Sequence, residues 1–163
     1  MLQTLTNWML STPIYNYIQS HGWVWPTLES AHFIGLCLLF GSLLIVDLRL
    51  IGAFKSIPIN AITKYTGFAV LGFLINVITG VLFVFGDPQR YFINVAFQLK
   101  MLCIVLAIMN VAYLFLQLKF NEGKSAPSSV PFNSRISVKF TAAMSLVFWT
   151  SVIVLGRLIP YVE

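Results

Sequence analysis

The sequence predicts an all-α protein: an integral membrane four-helix bundle with an N-terminal interfacial helix. Two observations carry that reading. Of the 163 residues 58% are hydrophobic and only 9% charged, with a mean hydropathy of +0.86, whereas a soluble domain carries about 25% charged residues. The apolar residues also gather into four long runs separated by short polar turns. Lipid is therefore the expected solvent. Crossing about 30 Å of hydrocarbon takes about 20 helical residues, so one transmembrane domain fills residues 1–163 and no separate soluble domain fits.

Residues 2–22 are uncharged and mix Leu2, Leu5, Trp8, Met9, Ile14 and Tyr17 with polar side chains. They are too polar to span and too apolar to dissolve, the pattern of a helix lying in the interface. Ser11, Thr12 and Pro13 divide this segment, because proline is comfortable only in a helix's first turn and a preceding hydroxyl caps it. The N-terminus lacks a basic region and a small-residue cleavage site, so the first span is expected to act as its own insertion signal.

The first span is expected over residues 27–48, after the aromatic belt of Trp23 and Trp25 and the helix-starting Pro26. Arg49, Lys55, Pro58, Asn60 and Lys64 form the turn to a second span over 65–85. Gly86, Asp87 and Pro88 end that span, and a third runs over 92–118. Residues 121–135 read as a polar loop, and a fourth span over 136–159 stops at Pro160.

The basic residues divide unequally. Arg49, Lys55, Lys64, Lys119, Lys124, Arg135 and Lys139 lie at one end of the spans, Arg90 and Arg157 at the other. The positive-inside rule assigns the seven to the cytoplasm of a bacterial inner membrane and both termini to the periplasmic side. It also explains the net charge of +5 as a topology signal, with the bilayer and not nucleic acid as the partner. Cys37 and Cys103 fall inside apolar runs without a ligand pattern and read as small apolar side chains.

Ionisable groups within the spans carry the functional information, since a charge near the bilayer centre costs about 2.5–3.5 kcal/mol and needs a partner or a purpose. Glu29, His32, Lys100 and Arg157 qualify. Counting about 1.5 Å per residue, all four fall within about 12 Å of the outer ends of their spans, as does Thr79. Trp25, Glu29 and His32 stand at i, i+4 and i+7, one face of a helix that Gly35 and Leu39 extend. Glu29 is expected to hydrogen-bond the His32 ring, or to pair with Lys100 or Arg157, around a pocket opening outward.

Blander readings of the same residues are a snorkelling Lys100, an Arg157 anchored at the headgroups, a Glu29 favoured by the helix dipole and a His32 bonded for packing. Asp47 and Arg49 read as a structural pair, the glycines of spans one and two as helix packing, and Met101, Met109 and Met144 as filler.

Trp25, Glu29, His32, Gly35, Leu39 and Gly41, followed by Asp47-Leu48-Arg49-Leu50 and Gly52, resemble the first helix of a bacterial four-helix membrane family with no assigned function. A weaker likeness is to haem-binding four-helix protoporphyrinogen oxidases and copper-resistance D type membrane domains. These have a histidine on the first helix, matched by His32. The oxidases also have an essential lysine on the third, matched by Lys100, and a threonine-glycine on the second, matched by Thr79-Gly80. The oxidases carry further histidines, absent here from spans two to four, so bis-histidine haem would require His21 to fold back.

The expectation is a small redox-type membrane protein that binds haem b or a quinone headgroup. His32 is the metal ligand or headgroup contact, Glu29 its orienting group, and Lys100 and Arg157 the partners of propionates or carbonyls, with Trp25 and Thr79 beside them. The alternatives are a non-enzymatic accessory subunit, docked on a membrane protein partner or on a second copy of the chain, and copper or small-solute transport. For transport the inner half of the spans offers only Asn76, Asn110 and Thr141, an incomplete polar path.

Overall fold

A computed structural model describes residues 2–54, 56, 60–122 and 136–162; side chains are described except at residues 2, 60–63 and 117–122. The described residues form helices joined by short turns, with no strand. Four helices are long and apolar enough to cross a membrane: α3 (Val24–Ile51), α4 (Asn60–Gly86, apolar from Lys64), α6 (Val95–Glu122, apolar to Leu116) and α7 (Ile136–Leu158). A helix satisfies its own backbone, which is what an apolar solvent demands.

Residues 2–22, expected to be an interfacial segment, form two short helices, α1 (Leu2–Leu10) and α2 (Pro13–Ser20). Thr12 caps α2, its Oγ1 accepting from the backbone N–H of Tyr15 at 3.3 Å, and Pro13 takes the first helical position. α1 lies against the end of α4 through the edge-on contact of Trp8 with Phe85. Gln19 of α2 donates to the carbonyl oxygen of Gly86 at 2.7 Å.

The observed boundaries refine three expectations. α3 starts at Val24, with Pro26 still in its first turn, where proline removes no helical bond. It ends where Gly52, at φ 106°, turns the chain through the left-handed conformation that favours glycine. The third span does not begin at residue 92: Asp87 caps a separate helix, α5 (Pro88–Ile93), and α6 starts after Asn94. The polar stretch 121–135 is helical at Asn121 and Glu122; the rest of it, from residue 123, lies outside the described residues.

Asn94 is a structural knot that sequence reasoning missed. Only 4% exposed, it accepts from the backbone N–H of Phe97 at 3.0 Å and donates to the carbonyl oxygens of Ile159, at 2.9 Å, and Val162. One amide thus caps α6 and binds the chain just beyond α7.

Packing follows the order α4, α3, α7, α6; α4 and α6 meet only loosely. The tightest contact is between Gly35 of α3 and Gly72 of α4. A Cβ on Gly72 would lie 2.5 Å from the Leu39 nitrogen and 2.6 Å from the Gly35 oxygen. Small residues let backbones approach in this way where apolar solvent supplies no hydrophobic driving force between helices. Leu39, Ala69, Ala107, Trp149 and Val152 form one buried cluster, and Val46, Leu50, Val138 and Ala142 a second nearer the far end, the end away from the termini. In that half Asn110 of α6 donates to the carbonyl oxygen of Thr141 on α7 at 3.0 Å.

Candidate functional site

The close approach of α3 and α4 at Gly35 and Gly72 brings His32, one turn before Gly35, against Thr79, two turns beyond Gly72. His32 Nδ1 and Thr79 Oγ1 are 2.7 Å apart. Thr79, 5% exposed, has one hydroxyl hydrogen, and this is directed back to the carbonyl oxygen of Ile75 at 2.7 Å. With that hydrogen on Ile75 the hydroxyl accepts from the histidine, an arrangement that assigns His32 the Nδ1–H tautomer with its lone pair on Nε2. Phe83 meets the edge of the imidazole, with ring centroids 5.4 Å apart.

His32 lines a cavity of about 370 Å³ whose walls are almost wholly apolar, among them Leu36, Phe73, Val84 and Ile104. Its other polar side chains are Asn76, Lys100 and Trp149. Lys100 is the charged neighbour of His32 and lies along α7 where Gly156 leaves room: a Cβ there would be 3.2 Å from its Nζ. Trp149 Nε1 and Asn76 Oδ1 are buried without hydrogen-bond partners, while the Asn76 amide nitrogen donates to the Gly72 carbonyl oxygen.

Met9 of α1, 6% exposed, lies on the cavity wall, and the wall residues most exposed are Val77 and Val81 of α4 and Met101 of α6. These three residues belong to the two spans that pack only loosely against each other, α4 and α6.

Of the six expected site residues, His32, Thr79 and Lys100 come together and three do not. Glu29 is exposed and accepts from Trp25 Nε1 at 3.1 Å, so it orients the indole and not the imidazole. The residues share a helix face as expected, but His32 turns to α4 and finds its partner there. Trp25 packs on Phe83, which separates it from the histidine, and on Gly86. Arg157 is exposed with its guanidinium 5.5 Å from the Tyr161 ring centroid, the placement of an interfacial anchor.

His21 does not fold back: its Nδ1 lies 3.0 Å from the Tyr17 carbonyl oxygen and its ring against Tyr17 and Trp23. Among the described residues no group of three or more His, Cys, Asp or Glu side chains stands ready for a metal ion. Asn76 and Trp149 are site residues that the sequence reading missed. Their partnerless polar atoms are a tertiary property, although the position of Trp149 one turn from Ser145 and Val152 marks it as inward-facing.

Fold and site together define a helical protein with four helices long and apolar enough to cross a membrane and a largely apolar cavity that holds His32 and Lys100. Over residues 6–162 the chain matches a family of unknown function (DUF6644), and it belongs to that family. No curated protein and no solved structure matches it.

Proposed function

We propose that this chain is a small redox-type protein of a bacterial inner membrane that binds the headgroup of an isoprenoid quinone. What supports the reading is the cavity's exposed edge: Val77, Val81 and Met101 of its wall are exposed on the surface that lipid would cover, and His32 and Lys100 line the same cavity. A ligand entering there comes from the bilayer and has an apolar tail. Its head meets two kinds of partner, the donor Lys100 and the acceptor His32 Nε2. Carbonyls of an oxidised quinone suit the first and hydroxyls of a quinol the second. The volume is at the small end for ligand pockets, which run from about 300 to 1,000 Å³.

Haem fits these residues less well. Its two propionates ask for paired cations, and the cavity wall offers Lys100 alone, with Arg157 stacked on Tyr161. A second histidine ligand is missing from the wall, since His21 is held by Tyr17.

The test is extraction of detergent-purified protein for quinone, with oxidised and reduced absorption spectra. Quinone should co-purify with the wild type and with Arg157→Gln. It should fall about tenfold or more in Lys100→Met and His32→Ala, given about 1.5–3 kcal/mol for a hydrogen bond to a charged group. A Soret band that His32→Ala abolishes would replace quinone with haem. Absence of both cofactors would favour the accessory-subunit reading, which has one observation of its own: 6% of the apolar window of α6 is buried, against 39% for α3.

The orientation belongs to the same proposal and is supported by the seven basic residues at one end. Cysteine placed at Ser125 should react with an impermeant reagent only after the inner membrane is opened; labelling of intact spheroplasts would invert the topology.

A further inference from the structure

His32 and Lys100 line one cavity, and each leaves a polar function there unanswered among the described residues. The imidazole spends its Nδ1 on Thr79, and no described side chain donates to Nε2. Lys100 Nζ lies against α7 at Gly156, where a Cβ would be 3.2 Å from it and where glycine has no side chain to offer. The described carboxylates are engaged elsewhere. Glu29 accepts from Trp25 Nε1 and Asp87 from the backbone N–H of Arg90. Asp47 lies beside Ser145, fifteen residues from His32 and so about 22 Å away along α3.

An ammonium group among apolar walls needs a counter-charge, and an acceptor without a donor leaves a hydrogen bond unmade. Both deficits are met by one kind of head group, with an O–H for Nε2 and an oxygen able to take negative charge for Nζ. A carboxylic acid has the two on one carbon. Its O–H donates to the imidazole, that bond polarises the carboxyl group toward carboxylate, and its second oxygen accepts from the ammonium. An alcohol or an amide supplies donor and acceptor without charge, and the phosphodiester of a phospholipid supplies charge with no proton to give. The walls decide the rest of the molecule. They are almost wholly apolar, and Val77, Val81 and Met101 lie on the surface that lipid would cover. A hydrocarbon tail fits them, filling the cavity of about 370 Å³ beyond the head and leaving past that edge into the bilayer.

We propose that the cavity binds the carboxyl head of a long-chain fatty acid between His32 Nε2 and Lys100 Nζ, and that the acid thereby keeps quinone out of the same site. As a competitor the acid rests on the quinone reading; as a ligand it stands without it.

The test uses tritiated palmitic acid, bound to the full chain purified in detergent and held on scintillation beads. Binding should saturate at one site. Unlabelled palmitic acid should displace the label at concentrations about tenfold or more below those of palmitamide and hexadecanol, the factor for a hydrogen bond to a charged group. Lys100→Met should weaken the acid by the same factor and abolish its advantage over the amide. Arg157→Gln, whose guanidinium is stacked on Tyr161 outside the cavity, should leave both unchanged. Protein that carries quinone should release it as palmitic acid is added.

Equal displacement by acid and amide overturns the proposal, because the charge of the head is then not read. Unchanged affinity in Lys100→Met also overturns it and returns the lysine to the snorkelling reading. Displacement by phosphatidylglycerol as effective as by palmitic acid would overturn the carboxylic acid in favour of any lipid anion. If Lys100→Met does not fold, Gly156→Leu crowds the same Nζ and is read in the same way, and the acid-to-amide ratio of the wild type needs no variant. Absence of co-purifying quinone leaves these ratios intact, while acid that binds without releasing quinone overturns the competition alone, so the two proposals fail separately.

Discussion

Replacing Gly72 with alanine tests the contact on which the site depends. The new methyl carbon would lie 2.5 Å from the Leu39 nitrogen and 2.6 Å from the Gly35 oxygen, about 0.9 Å inside the 3.4 Å where ordinary contact begins. Both obstacles are backbone, so no rotamer change relieves them and α3 must move away from α4. Forcing a methyl group into a packed interior costs about 1–3 kcal/mol, and a backbone clash belongs at the upper end. Alanine returns up to about 1 kcal/mol of helix propensity, leaving a net loss of about 2 kcal/mol, roughly thirtyfold in the folding equilibrium. Gly41→Ala is the control: a Cβ there meets nothing within 4 Å, so it should be neutral or slightly stabilising. The assay is unfolding of purified protein in mixed micelles of rising dodecyl sulfate content. Because His32 and Thr79 flank the crossing, Gly72→Ala should also lengthen their 2.7 Å bond and change the nitrogen shifts of the His32 ring. Equal stability of Gly72→Ala and Gly41→Ala would refute the close approach and, with it, the geometry that orients the imidazole.

Thr79→Val removes the acceptor for His32 Nδ1 at nearly constant volume. It should cost about 1–3 kcal/mol for the unsatisfied donor and shift His32 toward the Nε2–H tautomer, visible in nitrogen-15 spectra; an unchanged tautomer would mean that the ring is held by packing. Asn94→Leu strips the cap of α6 and the partner of two carbonyls beyond α7. It should lower stability by about 2–4 kcal/mol, one to two unmade hydrogen bonds, and raise deuterium exchange near Phe97 before any other site. Lys100→Met and Glu29→Gln should have additive effects on stability, within about 0.5 kcal/mol, because Glu29 is bound to Trp25 and Lys100 lies along Gly156. Strong non-additivity would restore the direct pairing that the sequence suggested.

The sequence by itself determined the number of long apolar helices, the short helices that precede them and most boundaries. Those depend on local quantities: mean apolarity over about 20 residues, the proline and hydroxyl at Thr12 and Pro13, and the breaker run Gly86, Asp87 and Pro88. It also located His32 and Lys100 at similar depth, because rise per residue converts position into distance along a helix. Azimuth and partners were beyond it. Trp25, Glu29 and His32 share a helix face, yet one face of α3 meets both α4 and open surface, so Glu29 turns to its own helix and His32 to Thr79. Arg157 has the right depth for the cavity and lies outside it. Neither the looseness between α4 and α6 nor the presence of Asn76 and Trp149 on the wall beside His32 leaves a signal in spacing. Each depends on how far apart two helices stand, and that distance is set by pairs such as Gly35 and Gly72, whose effect exists only once they face each other.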